Sequence, residues 1–291
     1  MKGATRWTVG GGRVLGPSPF FIAGIVNATP DSFYDGGRHP GVEEAVAHGL
    51  ALAAEGAHIL DVGGESTRPG APEVSEAEEL ARVLPVVREL ARTFGSDRQG
   101  GPVIAVDTYK AGVARQCIGA GAAMINDISA CRFDPALVEV LAEHQPGYVL
   151  MHSLGRPGTM QDDPRYQDVV AEIIEFFEER LEFLERAGLP RDRVALDPGI
   201  GFGKTLAHNL ALLAGIERFF ALGLPVYLGL SNKSLWGKLL GLELGERAMA
   251  TQVATALMAA RGVPVHRVHE VADTRRTLSI VAALGATPGG E

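Results

Sequence analysis

Carboxylates, amides and cations recur at one kind of place along this chain, the residue or two that follow a short β-rich run. Asn27 ends one run, Asp107-Thr108 another and Asn126-Asp127 another. His152, Asp197, Ser231-Asn232-Lys233-Ser234 and Arg267 with His269 close or follow others, and Gly63-Gly64-Glu65-Ser66-Thr67-Arg68-Pro69 trails one more. A single polar residue at a strand end reads equally well as a cap; the return of such residues after every run points to a site. Asp107, Asn126 and Asp197 offer acceptors plus an amide that both donates and accepts. Deep in a closed mouth, that trio suits a flat heterocycle with amino and ring N–H groups. Lys233, Arg267 and His269 offer donors, and Asn27 could help to ligate a cation, which suits phosphate oxygens. Ser231 and Ser234 lack the G-x-S-x-G surroundings of an activated nucleophile. The set favours positioning and charge stabilisation over covalent catalysis.

The elements that must position these residues are legible as an alternation. Eight β-rich runs occupy residues 20–27, 58–62, 103–107, 124–127, 148–151, 193–197, 226–228 and 266–268. Most are nearly continuous apolar segments, as expected of strands buried on both faces. Helical patterns lie between them, at 43–55, 166–187, 247–261 and 274–284. In the second, Val169, Val170, Ile173, Ile174, Phe177, Leu181 and Leu184 form one apolar stripe. Eight units without a break in composition predict a single (β/α)₈ TIM barrel over residues 20–286, with a doubly wound open sheet as the alternative. Residues 1–19 are expected to form a cap segment, with a short hairpin at 6–15 turning at Gly10-Gly11-Gly12 and covering the barrel floor. The site then belongs at the C-terminal mouth.

Composition narrows the function classes. The formal net charge of −8 argues against a dedicated nucleic-acid binder, yet permits an anionic small substrate, because local fields can oppose net charge. No apolar run approaches the roughly 18 residues of a spanning helix, and the N-terminus lacks the apolar core of a signal peptide; neither a membrane nor a nucleic acid is expected as a partner. Two cysteines, Cys117 and Cys131, make no disulfide framework and fit a reduced, cytoplasmic setting. Three other patterns have plainer readings. The Gly199–Thr205 stretch echoes a P-loop, but Walker spacing would need glycine at Pro198. His266 and His269 lie three apart on an extended run and face opposite sides, a poor zinc pair. Glu178, Glu179, Glu182 and Glu185 read as the wet face of a helix.

At these residues the chain resembles the dihydropteroate synthase family. Asn27-Ala28-Thr29-Pro30-Asp31-Ser32-Phe33-Tyr34-Asp35-Gly36-Gly37 resembles the family's first mobile loop, and Asp61-Val62-Gly63-Gly64-Glu65-Ser66-Thr67-Arg68-Pro69-Gly70 its second. Val106-Asp107-Thr108, Ile125-Asn126-Asp127, the block from Asp197 to Lys204 and Arg267-Val268-His269 continue the likeness in order, so that it covers almost the whole chain. The resemblance implies condensation of 6-hydroxymethyl-7,8-dihydropterin diphosphate with p-aminobenzoate, releasing diphosphate, in folate synthesis. It implies that Asp107, Asn126, Asp197 and Lys233 bind the pterin, with Met151 and Phe202 against its ring. Asn27, Arg267 and His269 would hold diphosphate, with Mg²⁺ at Asn27 and Asp35 joining the metal as the first loop closes. Phe33, Thr67, Arg68, Pro69 and Ser234 would shape the p-aminobenzoate site. The family also suggests a homodimer through helices at the barrel's side.

There are departures. The family often has His-Met-x-Gly where this chain has His152-Ser153-Leu154-Gly155; Glu270 replaces an aspartate; Asn232 stands where arginine is common. These put loop packing and inhibitor response in question more than the reaction. A pterin-binding methyltransferase would share the Asp107, Asn126 and Asp197 type of site without needing the Thr67-Arg68 loop or the Arg267-His269 pair. A catalytically dead pterin-binding barrel would be signalled by loss of Lys233 or Arg267, and both are present.

Overall fold

The structure is a computed structural model that describes residues 5–28, 40–67, 70–95 and 101–285. Two strands come first, β1 (Thr5–Thr8) and β2 (Val14–Ser18), antiparallel about a 3₁₀ turn at Gly10–Gly12. The parallel strands follow: β3 (Phe21–Asn27), β4 (Ile59–Gly63), β5 (Val103–Asp107), β6 (Met124–Asp127), β7 (Gly147–Met151), β8 (Val194–Asp197), β9 (Tyr227–Gly229) and β10 (Val265–Val268). Each pairs with its predecessor from β4 to β8, and β10 lies between β9 and β3. Between β8 and β9 the ring closes through a parallel bridge, Leu196 to Val226, and a 2.8 Å bond from Leu196 N–H to the Pro225 carbonyl. The sheet is therefore the closed barrel, and the open doubly wound alternative is ruled out.

Side-chain alternation builds two apolar layers. Phe21, Ala23, Ile59, Val103, Ala105, Met124, Val149, Ala195, Tyr227 and Val265 fill the barrel's lower interior. Their strand neighbours, among them Ile22, Leu60, Ile104, Ile125, Leu150 and Leu196, point outward and pack under the helices. The helices are α1 (Pro40–Glu55), α2 (Glu76–Phe94), α3 (Ala111–Gly119), α4 (Leu137–His144), α5 (Val169–Ala187), α6 (Leu206–Ala214), α7 (Ser234–Leu240), α8 (Ala248–Ala260) and α9 (Val271–Gly285). Helix α5 starts at Val169, the first residue of the apolar stripe and three residues into the expected 166–187 pattern. Asp168 caps it, its carboxylate accepting from Val170 and Ala171 N–H at 3.0 Å, and Gly188 ends it in the left-handed region at φ 107°.

The hairpin closes the floor of the barrel. Trp7 and Val9 join the lower interior cluster, Trp7 Nε1 donates to the Arg193 carbonyl at 2.8 Å, and Gly10 N–H donates to Ala123 O at 2.9 Å. A Cβ at Gly10 would meet the Ala123 backbone at 3.0 Å, so this approach needs glycine. No helix among the described residues is long and apolar enough to cross a membrane.

Candidate active site

The site is the next layer up the same staircase. Stepping two residues along each strand from the apolar interior leads from Ala105 to Asp107, Met124 to Asn126, Val149 to Met151, Ala195 to Asp197 and Val265 to Arg267. The barrel thus turns from an apolar floor to a ring of acceptors and one guanidinium within a single strand repeat. Asn126 and Asp197 are buried and Asp107 nearly so. Asn27 lies exposed at the end of β3.

The same step from Ile59 reaches Asp61, which the sequence reading passed over as part of a loop motif. Asp61 is wholly buried, and its Oδ2 accepts from Arg267 Nε at 2.5 Å and from Asn126 Nδ2 at 2.9 Å. Arg267 Nη2 meets Asp107 Oδ2 at 2.7 Å. One guanidinium therefore bridges two carboxylates, and Asp61 ties the expected anion residue to the expected heterocycle residue. Burial alone would lower the Arg267 pKa; Asp61 and Asp107 outweigh it and raise the pKa above its ordinary value. Burial pushes the Asp107 carboxyl upward, with Arg267 pulling it back. The period-two signal would have identified Asp61.

Across the mouth, Asp197 Oδ1 accepts from Gly199 N–H at 2.8 Å, which anchors the turn after β8. Gly199 has φ 70°, and a Cβ there would lie 1.9 Å from the His152 carbonyl oxygen. The P-loop-like stretch is thus a tight turn, and Thr205 at its end caps α6. Lys233 precedes α7 and sets its ammonium 4.5 Å from the centre of the Phe202 ring. Burial lowers its pKa to about 8, with Asp197 opposing the shift. Burial likewise raises the Asp197 carboxyl. Met151 and Phe202 belong to one buried apolar group beside this edge.

His269 Nδ1 lies 2.9 Å from Ser231 Oγ, which is also 3.1 Å from Glu270 Oε2. Asn232 Nδ2 donates to Glu270 Oε1 at 3.1 Å, so two of the departures from the family pattern are bonded to each other. His152, by contrast, turns away from the acceptor ring: its Nδ1 is 3.0 Å from the buried Lys204 ammonium and its ring meets Phe176 edge-on. Burial, with the Lys204 charge next, lowers its pKa to about 2. Thr67 is half-buried after β4, and Ser234 is exposed at the start of α7. Phe33, Asp35, Arg68 and Pro69 lie outside the described residues. Glu65, in the loop after β4, is bonded to Lys110 and Tyr109.

The chemistry is that of a barrel enzyme that can seat a flat donor-rich ring against Asp107, Asn126 and Asp197 and receive an anion beside Arg267. Comparison with known proteins agrees. The pterin binding enzyme family matches residues 23–269, and the chain belongs to that family. It is 43% identical over 262 residues to dihydropteroate synthase of Escherichia coli strain K12, covering 90% of each chain. Its fold is similar to Xanthomonas albilineans dihydropteroate synthase with 4-aminobenzoic acid (TM-score 0.89, 45% identity, 98% of this chain and 100% of that one). It is also similar to the Xanthomonas albilineans enzyme in complex with 7,8-dihydropteroate (TM-score 0.85, 42% identity, 98% and 100% covered).

Proposed function

We propose that this enzyme is a transferase of folate synthesis that joins the pterinylmethyl group of 6-hydroxymethyl-7,8-dihydropterin diphosphate to the amine of p-aminobenzoate. The products are 7,8-dihydropteroate, diphosphate and a proton. The observation that carries this reading is the polar layer, in which Asp61 holds Arg267 and Asn126 together above an apolar floor. Asp107, Asn126, Asp197 and Lys233 bind the pterin, with Met151 and Phe202 against its ring. The electron-rich pterin stabilises a cation at its exocyclic methylene as the C–O bond to diphosphate breaks. Arg267 and His269 stabilise the charge on the leaving oxygens, and Asp107 and Asp197 favour the cationic pterin. The arylamine nitrogen then attacks and loses its proton, so a strong general base is dispensable.

The donor set also fits Mg²⁺. This ion keeps several waters and typically takes one or two protein oxygens plus substrate phosphates. Among the described residues no group of three or more histidine, cysteine, aspartate or glutamate side chains forms a cage of its own, and Asn27 supplies one amide oxygen at the mouth. A metal bound there would add charge stabilisation for diphosphate. The decisive experiment is to incubate the protein with both substrates and Mg²⁺ and measure dihydropteroate and diphosphate; absence of both products overturns the reading.

Two expectations accompany it. Binding of p-aminobenzoate should be at least about tenfold tighter with Mg²⁺ and diphosphate present, about 1.4 kcal/mol of coupling. The two loops carry Asp31, Asp35 and Arg68, which the bound anion and metal give partners to close upon. Titration with and without Mg²⁺-diphosphate measures this, and equal affinities exclude the coupling. The enzyme is also expected to be a homodimer. On α8, Met249, Val253 and Leu257 stand exposed at intervals of four residues, beside exposed Ile280 and Leu284 of α9. Exposed apolar residues on two helices packed side by side suit an isologous contact. Val253→Asp should halve the mass seen by light scattering, and a wild-type protein already monomeric at micromolar concentration excludes the dimer.

A further inference from the structure

A second cluster stands at the root of the loop after β4, outside the acceptor ring. Lys110, three residues past Asp107, is buried and bonds through Nζ to both Glu65 and Glu79. Burial would lower its pKa; the two glutamates outweigh that and raise it above the ordinary lysine value, so Lys110 stays charged. Glu79 belongs to the first turn of α2, so Lys110 fastens the start of the loop to that helix. Arg82 of the same helix donates to the Gly64 carbonyl at 2.7 Å.

The neighbouring Tyr109 reaches both ends of the loop. Its hydroxyl lies 3.3 Å from Glu65 Oε1 and 3.3 Å from Glu73 Oε1. A phenol has one proton, so it serves one carboxylate at a time. Burial, with the Glu65 charge next after it, pushes its pKa up to about 12, so the proton stays in place. Arg156 holds Glu73 from the outside at 3.0 Å and lies 4.6 Å above the Phe133 ring. The Tyr109 ring packs in the same buried group as Met151 and Phe202. One side chain thus joins the apolar group assigned to the pterin to the two ends of the segment that carries Thr67.

We propose that Tyr109 and Lys110 are positioning residues for the second substrate, fastening Glu65 and Glu73 to the pterin wall so that the segment after β4 presents Thr67 to p-aminobenzoate. The proposal rests on the reaction assigned above. Fixing Glu65, two residues before Thr67, narrows the positions that Thr67 can take, so the clasp acts on arylamine affinity and leaves pterin affinity alone.

Steady-state kinetics of the full chain with both substrates tests this. Tyr109→Phe keeps the ring and removes only the hydroxyl. It should raise KM for p-aminobenzoate by about fivefold or more while KM for pterin diphosphate stays within about twofold. Glu73→Ala, at an exposed side chain, removes the acceptor at the other end and should move KM in the same direction, and the double variant should fall short of the product of the two effects because both break one contact. Lys110→Met would leave Glu65 and Glu79 without their shared cation and is the variant most prone to misfold, so it is not relied on. The proposal is overturned if both single variants keep KM for p-aminobenzoate within about twofold, or if both KM values rise together as thermal stability falls. A wild-type protein that makes no dihydropteroate overturns the functional reading itself, and the clasp with it.

Discussion

Arg267→Ala should lose about 3–5 kcal/mol of stability and, where it still folds, about 10²–10³ in turnover. Both effects come from the same fork. Nε and Nη2 of Arg267 bond to Asp61 and Asp107 at 2.5 and 2.7 Å, and Asp61 has no exposed surface. Removing the guanidinium leaves two close carboxylates with no cation between them, the costly way to break a buried pair. The rate falls because the leaving diphosphate loses a preorganised donor. Arg267→Lys should recover little, because a point charge cannot bridge two carboxylates and also face an anion.

The pH dependence gives a sharper check. Burial already raises Asp107, and Arg267 is the chief influence opposing it. Without Arg267 the folded Asp107 pKa climbs further above its unfolded value of about 3.9. The folded state then holds a proton that the unfolded state has released, so the variant loses stability as pH rises above the ordinary carboxylate range. Burial already holds wild-type Asp107 at about 7, so the two proteins lose stability in parallel up to that pH, and the variant's extra deficit opens between about pH 7 and its own higher folded pKa. Urea unfolding of both proteins from about pH 5 to pH 9 measures it, and a deficit that stays constant above about pH 7 would mean that Asp107 does not depend on Arg267.

The positions of the strands were legible because strands buried on both faces write themselves as continuous apolar runs; β5 and β6 fall at the residues the runs mark. Helix starts were less legible in the broad helical patterns: 166–187 overran the true start of α5, which the Asp168 capping bonds set at Val169, the first residue of the apolar stripe. Pocket residues were found wherever a polar side chain follows an apolar run. Asp61 was missed for a physical reason: it lies inside its strand, between Leu60 and Val62, and only the alternation with Ile59 marks it as pointing inward. Pairings between distant residues were not legible at all. That Glu65 bonds to Lys110, or that Asn232 and Glu270 bond to each other, depends on loops brought together by barrel closure. The Asn232–Glu270 bond also gives the two departures from the family pattern a common cause. An amide in place of the usual arginine meets a carboxylate one methylene longer than the usual aspartate, and their bond ties the β9 loop to the β10 loop.

Asp197→Ala should fold and yet weaken pterin binding by at least about thirtyfold. An amino group and a ring N–H held at a buried edge each lose an acceptor, at about 1–3 kcal/mol per unsatisfied group, and two such losses amount to about 2 kcal/mol or more. The carboxylate has a second duty. Its Oδ1 holds Gly199 N–H at 2.8 Å, in a turn that also carries Phe202 against the Lys233 ammonium. It is further the anion that opposes the burial of Lys233 and Lys204, whose pKa values lie at about 8 and about 7. With Asp197 gone both lysines give up protons at lower pH, and affinity for the anionic pterin diphosphate should decline from a more acidic point than in the wild type. Asp197→Asn separates the roles. Its amide oxygen can still accept from Gly199, so the turn persists, but the charge and one acceptor are lost, and affinity should fall between the other two proteins. Calorimetry with the pterin diphosphate across pH, with circular dichroism as the check on folding, decides the matter. A folded Asp197→Ala protein with affinity within about twofold of wild type would mean that the heterocycle sits elsewhere than in this ring of acceptors.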